Sequence, residues 1–254
     1  MEGFIKFIGT GGARIVASKQ VRSTGGLWFH YRNTDLYIDP GPGALVRLHA
    51  SRDHLDPSRL NGIILTHKHL DHANDVNVMI EAMAEGGFRK RGMLFCPEDA
   101  LSGDPVVLNY VRAYLDGIHV LKAGHTYDVK DISLAVPVRH IHPVEAYGLV
   151  FHANKKVGLI SDTRYFEELS DYYRVDVLIV NVLRIKPITE NDPIDHLSVE
   201  DFKKIVARVQ PEVAIMTHLG MNLIKEKPYE IARDLERELG IKIVAAYDDM
   251  KWVF

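Results

Sequence analysis

Four side chains of metal-binding type fall within six residues of this chain: His67, His69, Asp71 and His72. They stand in the run Thr66-His67-Lys68-His69-Leu70-Asp71-His72, directly after Asn61-Gly62-Ile63-Ile64-Leu65. Histidines two apart converge on one ion when the backbone bends just past a strand end, and the Asp-His pair then points toward an adjacent position. Neutral imidazole and ionised carboxylate are ligands that Zn²⁺ accepts, so the run supplies nearly two half-sites at once. With 13 histidines in 254 residues, a histidine-rich surface turn is a poor account of four donors so close together.

A binuclear site needs further donors, and strand ends are where a rigid backbone lets side chains meet. Val136-Pro137-Val138-Arg139-His140-Ile141-His142-Pro143 places two histidines just after an apolar segment. Leu159-Ile160-Ser161-Asp162-Thr163 offers a carboxylate in the same setting, as does Leu36-Tyr37-Ile38-Asp39-Pro40-Gly41, and Ile215-Met216-Thr217-His218 offers another imidazole. Any one alone is weak evidence: a single histidine after a strand more often makes a structural hydrogen bond, and Asp before Thr often caps a turn. Their joint appearance around the central cluster points to a metal site. Asp39 reads either as an acceptor that orients a ligating imidazole or as the cap of the Pro-Gly turn.

The elements that position these groups follow from apolar periodicity. Ile5 to Ile8, Gly26 to Tyr31, Leu36 to Ile38 and Ile63 to Leu65 read as strands bounded by Gly, Asn, Asp or Pro. Val76, Met79, Ile80 and Met83 change the period to three and four, which predicts an amphipathic helix over 75–84. Asn109 to Leu115 predicts a second, short helix. Strands return at Ile118–Leu121, Ile132–Val138, Tyr147–Phe151, Val157–Ile160, Val177–Val180 and Ala214–Met216. Ser198-Val199-Glu200-Asp201 is a partial capping box, since Glu or Gln is preferred at its last position. The helix it opens carries Phe202, Ile205, Val206 and Val209 and ends before Pro211. Pro228 opens a last helix, Gly240 ends it, and Ile243–Ala246 reads as the closing strand. No linker or low-complexity tract divides the chain, so two packed sheets flanked by helices in one domain are expected.

Composition sets the remaining bounds. Hydrophobic content of 46%, charged content of 26% and a formal net charge of -3 are ordinary for a globular protein and advertise no broad nucleic-acid or membrane surface. Arg89-Lys90-Arg91 is a short basic run that reads as a solvated loop. The one cysteine, Cys96, follows Met93-Leu94-Phe95 and reads as a small core residue rather than a nucleophile. No run of 18 apolar residues occurs and the N-terminus lacks a signal-peptide pattern, so a cytoplasmic location is the expectation. The opening Gly9-Thr10-Gly11-Gly12 lacks dinucleotide-loop spacing and a following helix pattern, and reads as a tight turn beside the site.

The order and spacing of these pieces resemble the metallo-β-lactamase superfamily, whose defining motif is His-x-His-x-Asp-His. The resemblance runs from Gly9-Thr10-Gly11-Gly12 to Ala246. Within the superfamily the chain is similar to the branch that contains the tRNA 3′-processing endonuclease (RNase Z) and small phosphodiesterases. The shared pieces are the opening Gly-Thr-Gly, Ile38-Asp39-Pro40-Gly41, His142 six residues before Gly148, Ser161-Asp162-Thr163-Arg164, His196 before a helix, and Thr217-His218.

The resemblance implies an α+β fold, a four-layer αββα sandwich forming a single metallo-hydrolase domain over 1–254. It implies two Zn²⁺ ions, with Mn²⁺ or iron as alternatives. One would be held by His67, His69 and His142, the other by Asp71, His72 and His218, with Asp162 bridging. His142 is preferred to His140 on its spacing to Gly148, which leaves His140 facing the opposite side or serving as a supporting group. Two such ions, about 3.5–4 Å apart, bring the pKa of a shared water toward neutrality, and the resulting hydroxide serves as nucleophile. No Gly-x-Ser-x-Gly pattern is present, and none is needed. Asp71 would also orient the attacking water, and His196 would assist the leaving group. Arg14, Lys19, Arg22 and Arg164 are candidate contacts for a substrate phosphate.

Departures from RNase Z narrow the substrate. Asn181 stands near the place where that enzyme has a glutamate, Leu219-Gly220-Met221-Asn222 replaces its Ser-x-Arg-Tyr, and the long tRNA-gripping insertion is missing. The expectation is therefore a phosphodiesterase acting on a small phosphodiester, nucleotide or other compact anion, with nucleic acid a less favoured partner and a homo-oligomer left open. The alternatives are a lactonase or thioesterase using the same site on a carbonyl, an RNase Z-like endonuclease, a two-iron redox protein, or a metal-stabilised binding protein without turnover.

Overall fold

A computed structural model describes residues 2–189 and 194–254. The chain enters through β1 (Phe4–Phe7), β2 (Leu27–Tyr31), β3 (Thr34–Ile38), β4 (Gly62–Ile64), β5 (Met93–Cys96) and β6 (Gly117–Val120). It then builds a second sheet from β7 (His125–Val129), β8 (Ile132–Val136), β9 (Leu149–His152), β10 (Lys156–Ile160), β11 (Val177–Arg184), β12 (Leu197–Ser198), β13 (Val213–Thr217) and β14 (Lys242–Ala245). The last strand, β15 (Met250–Val253), returns to the first sheet beside β1. The sheet orders are β15-β1-β2-β3-β4-β5-β6 and β14-β13-β11-β10-β9-β8-β7, with β12 paired to β11.

Each sheet is antiparallel on one side and parallel on the other. The pairs β3–β4, β4–β5 and β5–β6 run parallel, as do β10–β11, β11–β13 and β13–β14. Parallel neighbours direct their C-terminal ends the same way, so the loops that follow them gather at one rim, where open α/β sheets place their ligands.

Strand periodicity separates the layers. Along β11, Val177 and Ile179 join Phe29, Phe95, Leu134 and Phe151 in the core between the sheets, where Phe29 stacks on Phe151 with ring centroids 4.5 Å apart. Leu178 and Val180 point the other way and pack under Phe202, Ile205, Val206 and Leu235 of the helices Val199–Val209 and Pro228–Leu239. On the far side Tyr37, Ile63 and Leu94 meet Leu48, Val76, Met79, Ile80 and Met83 of Ala44–Ala50 and Val76–Met83. The result is helices, sheet, sheet, helices: an α+β sandwich of four layers. No helix of the described residues is long and apolar enough to cross a membrane.

Three local readings change. A helix, Ala13–Lys19, does follow the opening glycines; a glycine-rich entry and only seven residues hide its period. Ile243–Ala246 does not close the fold, because β15 follows it. The partial capping box is complete: the Ser198 hydroxyl accepts the Asp201 N–H at 3.1 Å, and the Asp201 carboxylate accepts the Ser198 N–H at 3.0 Å. Burial of the pair lets the shorter aspartate make the reach expected of glutamate. Replacing Ser198 by Ala removes one partner of this cap, and denaturant melts should show a loss of about 1 kcal/mol.

Candidate metal centre

The His-x-His-x-Asp-His run leaves β4 at its C-terminal end, where the chain passes from a buried strand to the short helix Leu70–Ala73. His140 and His142 follow β8, Asp162 follows β10, His196 precedes β12 and His218 follows β13. All of these ends lie at the common rim. The side chains meet there as two donor sets, His67, His69 and His142 in one, and Asp71, His72, Asp162 and His218 in the other, with Asp39 behind them in a third group with His67 and His72; within each group the donor atoms lie within 4.8 Å of one another.

The distances knit the two sets together. His142 Nε2 is 3.0 Å from His69 Nδ1, and His72 Nε2 is 3.0 Å from His218 Nε2. Asp71 Oδ2 lies 3.3 Å from His218 Nε2. Asp162 faces both sets, with Oδ1 3.5 Å from His218 Nε2 and Oδ2 3.6 Å from His67 Nε2 and 3.3 Å from His72 Nε2. Each residue predicted for the two half-sites is therefore in the cluster. His140 is not: its Nε2 faces the Tyr173 hydroxyl at 3.1 Å, and burial pushes the imidazole down to about 3.

Outward hydrogen bonds set the tautomers. His67 Nδ1 donates to the Thr66 hydroxyl at 3.1 Å, His72 Nδ1 to Asp39 Oδ2 at 2.9 Å, and His142 Nδ1 to the Asp195 carbonyl at 3.1 Å. In each ring the proton is drawn to Nδ1 and the Nε2 lone pair points inward. Asp39 resolves as an orienting acceptor, since it also takes the Thr66 N–H and hydroxyl, both at 2.7 Å. The Thr66 proton is thus committed to Asp39, so the Ser161 hydroxyl, 2.7 Å away, donates to Thr66 and links the loop after β4 to the loop after β10.

Electrostatics follow the same design. Burial holds His67 well below the ordinary imidazole range and lowers His69 and His142, so these three are neutral donors. Burial alone would push Asp71 and Asp162 up, but the surrounding imidazoles outweigh it and keep both below the usual carboxylate range. Around His72 the burial effect is overcome by Asp162, Asp71 and Asp39, which raise it well above normal. Positive charge is favoured at that point. His67 Nε2 is buried with no hydrogen-bond partner. A divalent cation suits an inward lone pair of this kind among neutral imidazoles and ionised carboxylates.

The opening glycines act on this cluster directly. Gly12 N–H donates to the Leu219 carbonyl and Leu219 N–H to the Thr10 carbonyl, at 3.2 and 2.8 Å, so the loop is zipped to the segment bearing His218. A Cβ on Gly12 would stand 2.1 Å from His218 Nδ1. Ala13 N–H donates to Asp71 Oδ2 at 2.8 Å, a contact the sequence reading did not find. Asp39 and His218 both adopt left-handed backbone, with φ of 52° and 57°, a conformation that costs roughly 1–3 kcal/mol.

The proposed phosphate contacts divide. Arg22 Nη1 donates to the Thr10 hydroxyl and the Ala246 carbonyl at 3.0 and 2.8 Å, and Arg164 Nε donates to Asp195 Oδ1 at 2.6 Å. Both side chains brace loops around the site. Arg14 and Lys19 are exposed on the helix Ala13–Lys19. Burial pushes the Cys96 thiol up to about 12, which fits a core residue.

Two substitutions probe the supports. Gly12→Ala should displace His218 and cut bound metal from two equivalents toward one, read by elemental analysis, while circular dichroism stays that of the native fold. Asp39→Asn removes the carboxylate that orients His72 and should weaken metal affinity about 10–100-fold in a competition titration. Unchanged affinity would show that Asp39 serves only the turn.

A family model for the beta-lactamase superfamily domain matches residues 34–219. An uncharacterized protein of Methanocaldococcus jannaschii is 30% identical over 257 residues, spanning 95% of this chain and 91% of its own length. The metallo-beta-lactamase fold protein YhfI from Bacillus subtilis superposes with a TM-score of 0.78 over 100% of both chains at 17% identity. A diphosphatase from the PhnP family superposes with a TM-score of 0.73 at 19% identity, over 100% of this chain and 98% of its own. With the His-x-His-x-Asp-His run at the rim of two facing sheets, the chain belongs to the metallo-β-lactamase superfamily.

Proposed function

We propose that this chain is a binuclear metal-dependent hydrolase that cleaves a small phosphodiester or nucleotide. His67, His69 and His142 would hold one ion and Asp71, His72 and His218 the other, with Asp162 shared. When bound, two divalent ions supply Lewis acidity toward a phosphoryl oxygen and a water that is reactive at neutral pH. Zn²⁺ is the first choice for a His-rich, thiolate-free donor set, with Mn²⁺ and iron behind it.

The observation that carries the phosphodiester reading is the seat of His196. It belongs to neither donor set, yet its Nδ1 is 3.5 Å from Asp162 Oδ2 and its ring stacks on His218 with centroids 5.6 Å apart. A histidine that merely flanked a helix cap would lie in solvent, whereas this side chain is 12% exposed. Burial pushes it down to about 4, so it is neutral in the free protein; an arriving phosphate anion works against that effect and favours the imidazolium. His196 would then deliver its proton to the departing oxygen, which matters most for a poor leaving group. Asp71, fixed by the Ala13 N–H and His218, orients rather than abstracts. The similar diphosphatase acts, by its name, on a phosphorus-centred bond, in keeping with this reading. A net charge of -3 and the pairing of Arg22 and Arg164 within the fold favour a compact anion over a polynucleotide.

The test compares hydrolysis of a chromogenic phosphodiester, a lactone and a thioester by metal-loaded protein and by His196→Ala. The expected result is phosphodiester turnover that falls about 10²–10⁴-fold in the variant, as for loss of a general acid, with metal content unchanged. Cleavage of the carbonyl substrates alone would make the chain a lactonase or thioesterase instead.

A further inference from the structure

β11 runs through apolar surroundings on both faces, with Val177 to Val180 buried, and then presents Asn181, only 7% exposed. Asn181 Nδ2 donates to Asp162 Oδ1 at 2.8 Å. Because an ionised carboxylate is acceptor-only, the amide nitrogen is the end that faces it. Asn181 lines the same small cavity as Asp71, His72 and His218.

The contact fixes a torsion that is otherwise soft. A carboxylate turns about its Cβ–Cγ bond in a broad, two-fold well. Oδ1 lies 3.5 Å from His218 Nε2, while Oδ2 stands between the two sets, 3.6 Å from His67 Nε2 and 3.3 Å from His72 Nε2. Rotation about that bond would turn Oδ2 away from one of the two sets. The Asn181 amide meets Oδ1 from the side of β11 and opposes that rotation. It does so without charge. A carboxylate at this position would have no proton to donate, and would add a further acid to Asp39, Asp71 and Asp162 in a site whose attraction for an anion depends on surplus positive charge.

Resting on the metal-centre reading above, we infer that Asn181 is a positioning residue, whose amide holds Oδ1 of Asp162 so that Oδ2 stays between the two donor sets. The bond links Asn181 on β11 to Asp162, 19 residues earlier and just past the end of the adjacent parallel strand β10, so its geometry follows the register of β10 against β11.

The experiment uses wild type, Asn181→Leu (similar in shape, no donor) and Asn181→Ala, each stripped with chelator and titrated with zinc against a chromogenic competitor. Wild type should bind two equivalents. In both variants one of the two sites should weaken about 10–100-fold while the other stays near wild type. The visible spectrum of the cobalt-loaded variants should shift, and their melting temperatures should fall more in the zinc-loaded than in the stripped form. If both variants take up two equivalents as tightly as wild type, with an unchanged cobalt spectrum, the role of Asn181 is overturned and the metal centre stands. If the stripped variants both lose their fold, Asn181 is a structural core residue and the inference is likewise wrong. Uptake of fewer than two equivalents by wild type overturns the metal-centre reading, and this one with it.

Discussion

The arrangement depends on crowded imidazoles at the rim, three of which turn Nε2 inward. Left to themselves, such groups would repel one another's lone pairs or seek solvent. They stay because each of three rings is held from behind by an acceptor: Thr66 for His67, Asp39 for His72 and the Asp195 carbonyl for His142. Thr66 and Asp39 sit just past the ends of β4 and β3, and Asp195 just before β12. The convergence is thus a property of the scaffold, and the cost of desolvating the cluster is met by the packing of two sheets and four helical faces around it.

That constraint explains features that look incidental in isolation. The opening glycines are close to the rim because His218 lies flat over Gly12, with no room for a Cβ. Asp39 and His218 accept left-handed backbone because the chain must reverse at once on leaving a strand if its side chain is to face back into the cluster. Thr66 and Ser161 tie the first sheet's loop to the second sheet's loop, so the donors of each half-site, which come from both halves of the chain, keep a fixed spacing. Arg22 and Arg164 brace this frame from outside.

Much of this was legible in the chain. Donor types and their spacing after apolar strands identified the cluster, since strand ends are the places where residues distant in sequence converge. The helix Val76–Met83 was visible because its period is unbroken over a buried face. What stayed hidden depends on partners far along the chain. β15 pairs with β1 across almost the whole sequence, and its Asp248-Asp249 approach reads as polar loop. β7 is an edge strand with exposed His125, Thr126 and Asp128, so apolar alternation is faint. The helix Ala13–Lys19 is short and is anchored at its start by Asp71, 58 residues away. Thr66, Ser161 and Asn181 stood in plain view within or beside the motifs, but only the register of the strands reveals which carboxylate or hydroxyl each one meets.

The measurement that bears most directly on this account is anomalous diffraction at the zinc edge from crystals of the intact chain grown with zinc. Two peaks are expected, one among His67, His69 and His142 and one among Asp71, His72 and His218, with Asp162 between them. No peak at either position, with zinc in excess and the side chains ordered, would contradict it.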